Sequence, residues 1–81
     1  MRLHYTERFR RSYESAPPSV RRAFDKQAAF LVHDLRHPSL RAKKYDEAND
    51  IWQARVNDAW RFYFQIQGET YLVLEIIRHP K

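Results

Sequence analysis

The sequence predicts an α+β domain in the order β-α-α-β-β-β, a two-helix hairpin packed on a twisted antiparallel sheet. Three observations carry this prediction. Apolar residues recur every three or four positions through the first third of the chain, and every second position from Ile51 onward. A proline pair, Pro17 and Pro18, interrupts the helical part once. Two turn signals, "ND" at Asn57 and Asp58 and "QGET" from Gln67 to Thr70, divide the alternating part into three strands. A length of 81 residues sets a single domain spanning 1–81.

The elements follow in order. "RLHY" (Arg2 to Tyr5) reads as a short first strand. Thr6 is placed to cap a helix running through Ser15, with Phe9 and Tyr13, four apart, on its apolar face. "APPS" (Ala16 to Ser19) stops it, because proline disfavours continuing the helix. A second helix is predicted from Pro18 to Arg36. Val20, Phe24, Gln27 with Ala28, Leu31 and Leu35 form its stripe, while Arg21, Arg22, Asp25, Lys26, His33 and Asp34 fall mostly on the wet side. "RHPSL" ends it, since a residue before proline avoids helical geometry. "RAKKYDEAND" (Arg41 to Asp50) is polar and predicted as a loop; Arg36, Arg41, Lys43 and Lys44 make its front half basic. In the strands, Trp52, Ala54 and Val56, then Trp60, Phe62, Phe64 and Ile66, then Leu72, Leu74 and Ile76 are expected to face the helices.

Composition narrows the function classes. With 43% hydrophobic and 15% aromatic residues the chain has the material for an ordered core. The absence of cysteine removes a disulfide framework, a thiolate metal site and a cysteine nucleophile. His4, His33, His37 and His79 show no metal-ligand spacing, and Gly68, the single glycine, leaves no glycine-rich phosphate loop, so neither metal nor cofactor is expected. No stretch is apolar enough to span a membrane, and "MRLHYTERFRR" lacks a signal peptide's apolar segment, so the expected location is cytoplasmic, with no membrane partner. A net charge of +5 points to an anionic partner, nucleic acid first and an acidic protein second.

The strand pattern also fixes a register. Keeping Trp52, Ala54 and Val56 on one face with Trp60, Phe62 and Phe64 requires Val56 opposite Trp60, with Asn57, Asp58 and Ala59 as the turn. Arg55 then lies directly opposite Arg61 on the face away from the helices. The next hairpin is expected to set Phe62 opposite Ile76, Phe64 opposite Leu74, Arg61 opposite Ile77 and Tyr63 opposite Glu75, with His79 diagonal to Arg61. The outward constellation is thus Gln53, Arg55, Arg61, Tyr63, Glu75 and His79, with Arg78 at the strand end. Facing like charges destabilise a sheet by up to roughly 1 kcal/mol, a cost best tolerated where an anion sits between them. Two guanidinium forks suit phosphate oxygens. Glu75 and Asp58 are the carboxylates placed to neutralise the pair instead. Tyr63 is placed to stack a base or donate a hydrogen bond.

These residues carry a family resemblance. The opening "YTERFRRSYESAPPSVRRAF", the link "RHPSLRAKK", the hairpin "WQARVNDAWRFYF" and the terminal "RHPK" resemble the RelE/ParE superfamily of bacterial toxins over almost the whole chain. The resemblance implies the toxin of a type II toxin–antitoxin system. In the RelE branch that is an mRNA endonuclease (mRNA interferase) acting on the ribosome; in the ParE branch it is an inhibitor of DNA gyrase. Arg61 matches the catalytic arginine of the RelE branch, Arg55 a basic position of the preceding strand, and Arg78 and His79 the C-terminal catalytic region, a terminal histidine being similar to HigB-like members. Departures fall at Gln53, where many relatives carry lysine, at Pro80, where some carry an aromatic residue, and at Lys81, beyond which no tyrosine-bearing extension follows.

The resulting expectation is a ribosome-dependent mRNA endonuclease that inhibits translation by metal-free attack of the RNA's own 2′-hydroxyl on the scissile phosphate. Arg61 and Arg55 hold that phosphate, and His79 transfers a proton, with Arg78 beside it. Glu75 is the alternative base; Lys43, Lys44, Arg41, Gln53 and Tyr63 bind RNA. The expected partners are mRNA on the ribosome, an antitoxin with an acidic or amphipathic segment, and operator DNA only through the antitoxin complex. A gyrase-directed ParE-like toxin, and an inactive toxin fold working only in a repressor complex, are the alternative readings.

Overall fold

The computed structural model describes residues 1–79; the terminal Pro80 and Lys81 lie outside the described residues. The elements are β1 (Arg2–Tyr5), α1 (Glu7–Ser15), α2 (Pro18–His33), β2 (Lys43–Asp46), β3 (Ile51–Arg55), β4 (Trp60–Gln67) and β5 (Thr70–Arg78). They form a five-stranded sheet in the order β1-β5-β4-β3-β2, with the helices packed against it. The fold is therefore α+β, as the sequence pattern implies.

Local chemistry sets the helix ends. The Thr6 hydroxyl accepts the Phe9 N–H at 3.0 Å, closing the start of α1. Pro18 opens α2, where a missing N–H costs nothing. That helix stops at His33 rather than Arg36, because the Asp34 carboxylate takes the Arg36 N–H at 2.9 Å and turns the chain. Phe9, Val20, Phe24, Ala28 and Leu31 from the helices meet Ala54, Phe62, Phe64, Val73 and Ile76 from the sheet in one core.

Three features differ from the expectation. First, Lys43–Asp46, expected as loop, is an edge strand paired antiparallel with β3. It is short and carries lysines, the usual protection of an exposed edge. Second, the sheet is mixed, since β1 runs parallel to β5, with Arg2 beside Thr70 and Tyr5 beside Val73. Third, β5 carries a bulge: Tyr63 pairs with Glu75, but Phe64 pairs with Val73, so Leu74 is the extra residue. The buried positions upstream are consequently Tyr71 and Val73, not Leu72 and Leu74. Thr6 accounts for the bulge, because its N–H meets the Val73 carbonyl at 3.1 Å and its hydroxyl donates to the Leu74 carbonyl at 3.0 Å. Beyond β1, α1 covers the edge of β5, where the Ser12 hydroxyl accepts the Ile76 N–H at 3.0 Å.

Candidate phosphate-binding face

The β3–β4 hairpin has the register the apolar pattern requires. Trp52 pairs with Phe64, Ala54 with Phe62, and Arg55 with Arg61. Arg61 pairs in turn with Ile77, so Arg55, Arg61 and Ile77 form one row on the face away from the core. The next row is Lys43, Gln53, Tyr63 and Glu75, one residue from each of four strands.

Both arginines have partners in the turn between them. An Arg55 guanidinium nitrogen pairs with the Asp58 carboxylate, whose side chain is 93% exposed. The Arg61 guanidinium donates to the backbone carbonyls of Asn57 at 2.6 Å and Trp60 at 2.9 Å. The turn is itself fixed, because the Asn57 side-chain oxygen accepts the N–H groups of Ala59 and Trp60 at 2.9 and 3.0 Å. Arg61 is thus held by neutral carbonyls and retains its net positive charge, while Arg55 is matched by one solvated carboxylate. An exposed ion pair of that kind contributes little, so an entering phosphate can displace Asp58 at small cost.

His79 comes to the same turn: its N–H donates to the Ala59 carbonyl at 2.7 Å, and its residue is exposed. Glu75, in contrast, is engaged elsewhere, since its carboxylate receives the Arg8 Nε at 3.0 Å from α1. Of the two carboxylates placed to neutralise the pair, Asp58 does so for Arg55 and Glu75 does not reach it.

Other residues named from the sequence separate. Arg78 pairs with Trp60 and so alternates to the helix side of the sheet, opposite to Arg61 and His79. Lys44 pairs with Trp52 and also lies on the helix side, 5.2 Å from the Trp52 ring centre. Its ammonium contacts Asp50 at 2.5 Å and Glu47 at 3.9 Å, and the Asp50 hydrogen bond is the main reason its pKa is raised. Lys43 stays exposed on the arginine face. Tyr63 points outward but is only 7% exposed, with Tyr45 packed edge-on at 4.9 Å; its hydroxyl accepts the Gln53 amide at 3.0 Å. Gln53 and Tyr63 thus brace each other beside the site and leave no free ring face for a base. The signals for Arg8 and for the burial of Tyr63 are tertiary: an arginine on a helix facing solvent says nothing of a glutamate 67 positions away.

Among the described residues, no group of three or more His, Cys, Asp or Glu is placed to hold a metal ion, and no helix is long and apolar enough to cross a membrane.

Solved structures share this architecture. A chain of the toxin–antitoxin complex RelBE2 from Mycobacterium tuberculosis is similar at 23% identity with a TM-score of 0.74, covering 96% of this chain and 96% of that one. YafQ from E. coli is similar at 9% identity with a TM-score of 0.79, covering 98% of this chain and 94% of that one. The YoeB/ParE toxin from Agrobacterium tumefaciens is similar at 19% identity with a TM-score of 0.70, covering 99% and 100%. No protein-family model and no curated protein matches the chain. The fold is that of the RelE/ParE-like toxins.

Proposed function

We propose that the protein is the toxin of a type II toxin–antitoxin pair, and that it cuts mRNA on the ribosome. The observation that carries this reading is the facing pair Arg55 and Arg61, with His79 tied to the turn that joins them. An inhibitor acting by surface contact alone has no need of two opposed guanidinium groups with a histidine tied to the same turn.

In this mechanism the scissile phosphate displaces Asp58 and sits across Arg55 and Arg61. The RNA's 2′-hydroxyl attacks the adjacent phosphorus, the P–O5′ bond breaks, and the products are a 2′,3′-cyclic phosphate and a 5′-hydroxyl. The proton leaves the 2′-oxygen and one is delivered to the 5′-oxygen. The fixed guanidinium groups stabilise the extra negative charge that accumulates on the phosphoryl oxygens. His79 handles a proton; Glu75 is the weaker candidate because its carboxylate is paired with Arg8 and does not reach the arginine pair. Lys43 and Arg41 are exposed and attract the RNA backbone, acting in the cytoplasm where ribosomes are. An antitoxin with an acidic or amphipathic segment would anchor carboxylates on the same arginines and so block the site; operator DNA would be reached only through that complex.

The test is to induce the chain and map transcript 5′ ends on and off ribosomes. New 5′-hydroxyl ends within ribosome-bound messages are expected. Growth arrest with intact messages and inhibited gyrase would replace this reading with the ParE-like one, and no arrest at all would favour a repressor-only role.

A further inference from the structure

Between α2 and the β3–β4 turn lies an open cavity of about 450 Å³, lined among others by Lys26, Gln27, Ser39, Arg41, Arg55 and Asn57. No carboxylate is among the described lining residues. Its walls are braced: the buried Gln27 donates to the carbonyls of Ser39 at 2.9 Å and Arg55 at 2.8 Å, and accepts the Ser39 hydroxyl at 2.8 Å. Gln27 therefore has no donor left for a ligand and serves to lock helix, loop and strand end together. Arg41 adopts φ 47, a left-handed conformation that arginine seldom takes. It is forced there by Leu40, which is fully buried, donates to the His37 carbonyl at 3.0 Å and accepts the Arg55 N–H at 2.7 Å. The fold thus holds an arginine in an uncommon backbone state at the rim of a cation-lined cavity. Strain of this kind concentrates at binding sites.

We infer that this cavity binds a second backbone phosphate of single-stranded RNA, held by Lys26 and Arg41. The inference rests on the proposed ribonuclease reading for the class of ligand, and adds a second contact beyond the cleavage centre. Arg55 lines the cavity and pairs across the strands with Arg61, so the cavity adjoins the arginine row through that residue. A polymer with a charge on every unit can engage the arginine row and this cavity at once, which a single acidic side chain cannot.

The experiment uses the whole chain and a short fluorescent 2′-O-methyl RNA, which cannot be cut by 2′-hydroxyl attack. Binding is measured by anisotropy over a salt series. Lys26→Gln keeps a long polar side chain, and Arg41→Gly suits the positive φ, so both variants should fold; thermal melts check this. Combined, they should weaken binding of every sequence alike and lower the slope of log affinity against log salt by about 0.7, the loss of one single-strand phosphate contact. Arg22→Gln, exposed on the same helix and outside the cavity, should leave the slope unchanged. An unchanged slope in the folded double variant, an equal loss in Arg22→Gln, or no RNA binding by the parent chain overturns the site. Loss of slope as expected, together with no cleavage of ordinary RNA on ribosomes by the parent, supports the site and overturns the nuclease reading alone.

Discussion

At the scale of single residues, Arg61 tests the reading most directly. Its guanidinium donates to the backbone carbonyls of Asn57, Asp58 and Trp60 in partly buried surroundings. Arg61→Ala therefore removes three hydrogen bonds to the turn backbone and relieves the repulsion with Arg55, two effects of opposite sign. Stability should change by no more than about 1 kcal/mol, as urea unfolding would report. Cleavage should fall by on the order of 100-fold or more, because a fixed charge on the reacting phosphate is lost. A folded variant with full cleavage would remove Arg61 from the chemistry. His79 makes a separable prediction. Its main-chain bond to Ala59 survives His79→Gln, so the hairpin should hold while the pH–rate profile loses one limb and the rate drops by roughly 100-fold. An unchanged profile would pass the proton-transfer role to another group.

At the scale of elements, Thr6 joins a helix start to a strand bulge. Its hydroxyl caps α1 and donates to the Leu74 carbonyl. Thr6→Val keeps the shape and removes both bonds, so it should cost about 1 to 2 kcal/mol by urea unfolding. A loss of only a few tenths would mean that the bulge is held by strand pairing alone. The helix pair makes a prediction about alkaline pH. The Tyr13 hydroxyl bonds the Asp25 carboxylate at 2.9 Å, and burial followed by this bond raises its pKa above the ordinary 10.0. A group whose pKa is higher folded than unfolded contributes stability that is fully present below the unfolded value and is lost as pH rises through the folded one. Thermal stability should therefore decline above pH 10, and less steeply in Tyr13→Phe; identical slopes would show that other groups dominate. These elements also show what the sequence makes legible. The Arg55–Arg61 register could be read because apolar and polar residues alternate cleanly through both strands, so a slip by one residue would expose the core. The Leu74 bulge could not, since Tyr71, Leu72, Val73 and Leu74 are all apolar and offer no contrast between faces. The strand Lys43–Asp46 was hidden for the opposite reason: apart from Tyr45 it is charged, and its pairing with β3 supplies the order that its side chains do not. The Arg55–Arg61 part of the site was thus readable from pattern, while the Arg8–Glu75 pair and the Lys26–Arg41 cavity exist only once distant segments meet.

At the scale of the whole molecule, the parallel pairing of β1 with β5 bears on how the chain comes into being. Of the described elements, β1 emerges first during synthesis and β5 last, and the bond from Thr6 to Leu74 spans 68 positions. The first strand must therefore wait for the last, and α1 has no strand edge to cover until β5 appears. Contacts of such long sequence separation form late and cooperatively. A nascent chain halted before Thr70 should remain open to protease, with its arginines carried on an unformed hairpin edge, whereas one extended past His79 on a linker should resist; early resistance would show that β5 is dispensable for the fold. A protein proposed to attack translating ribosomes would then have no formed site while it is still being made by one.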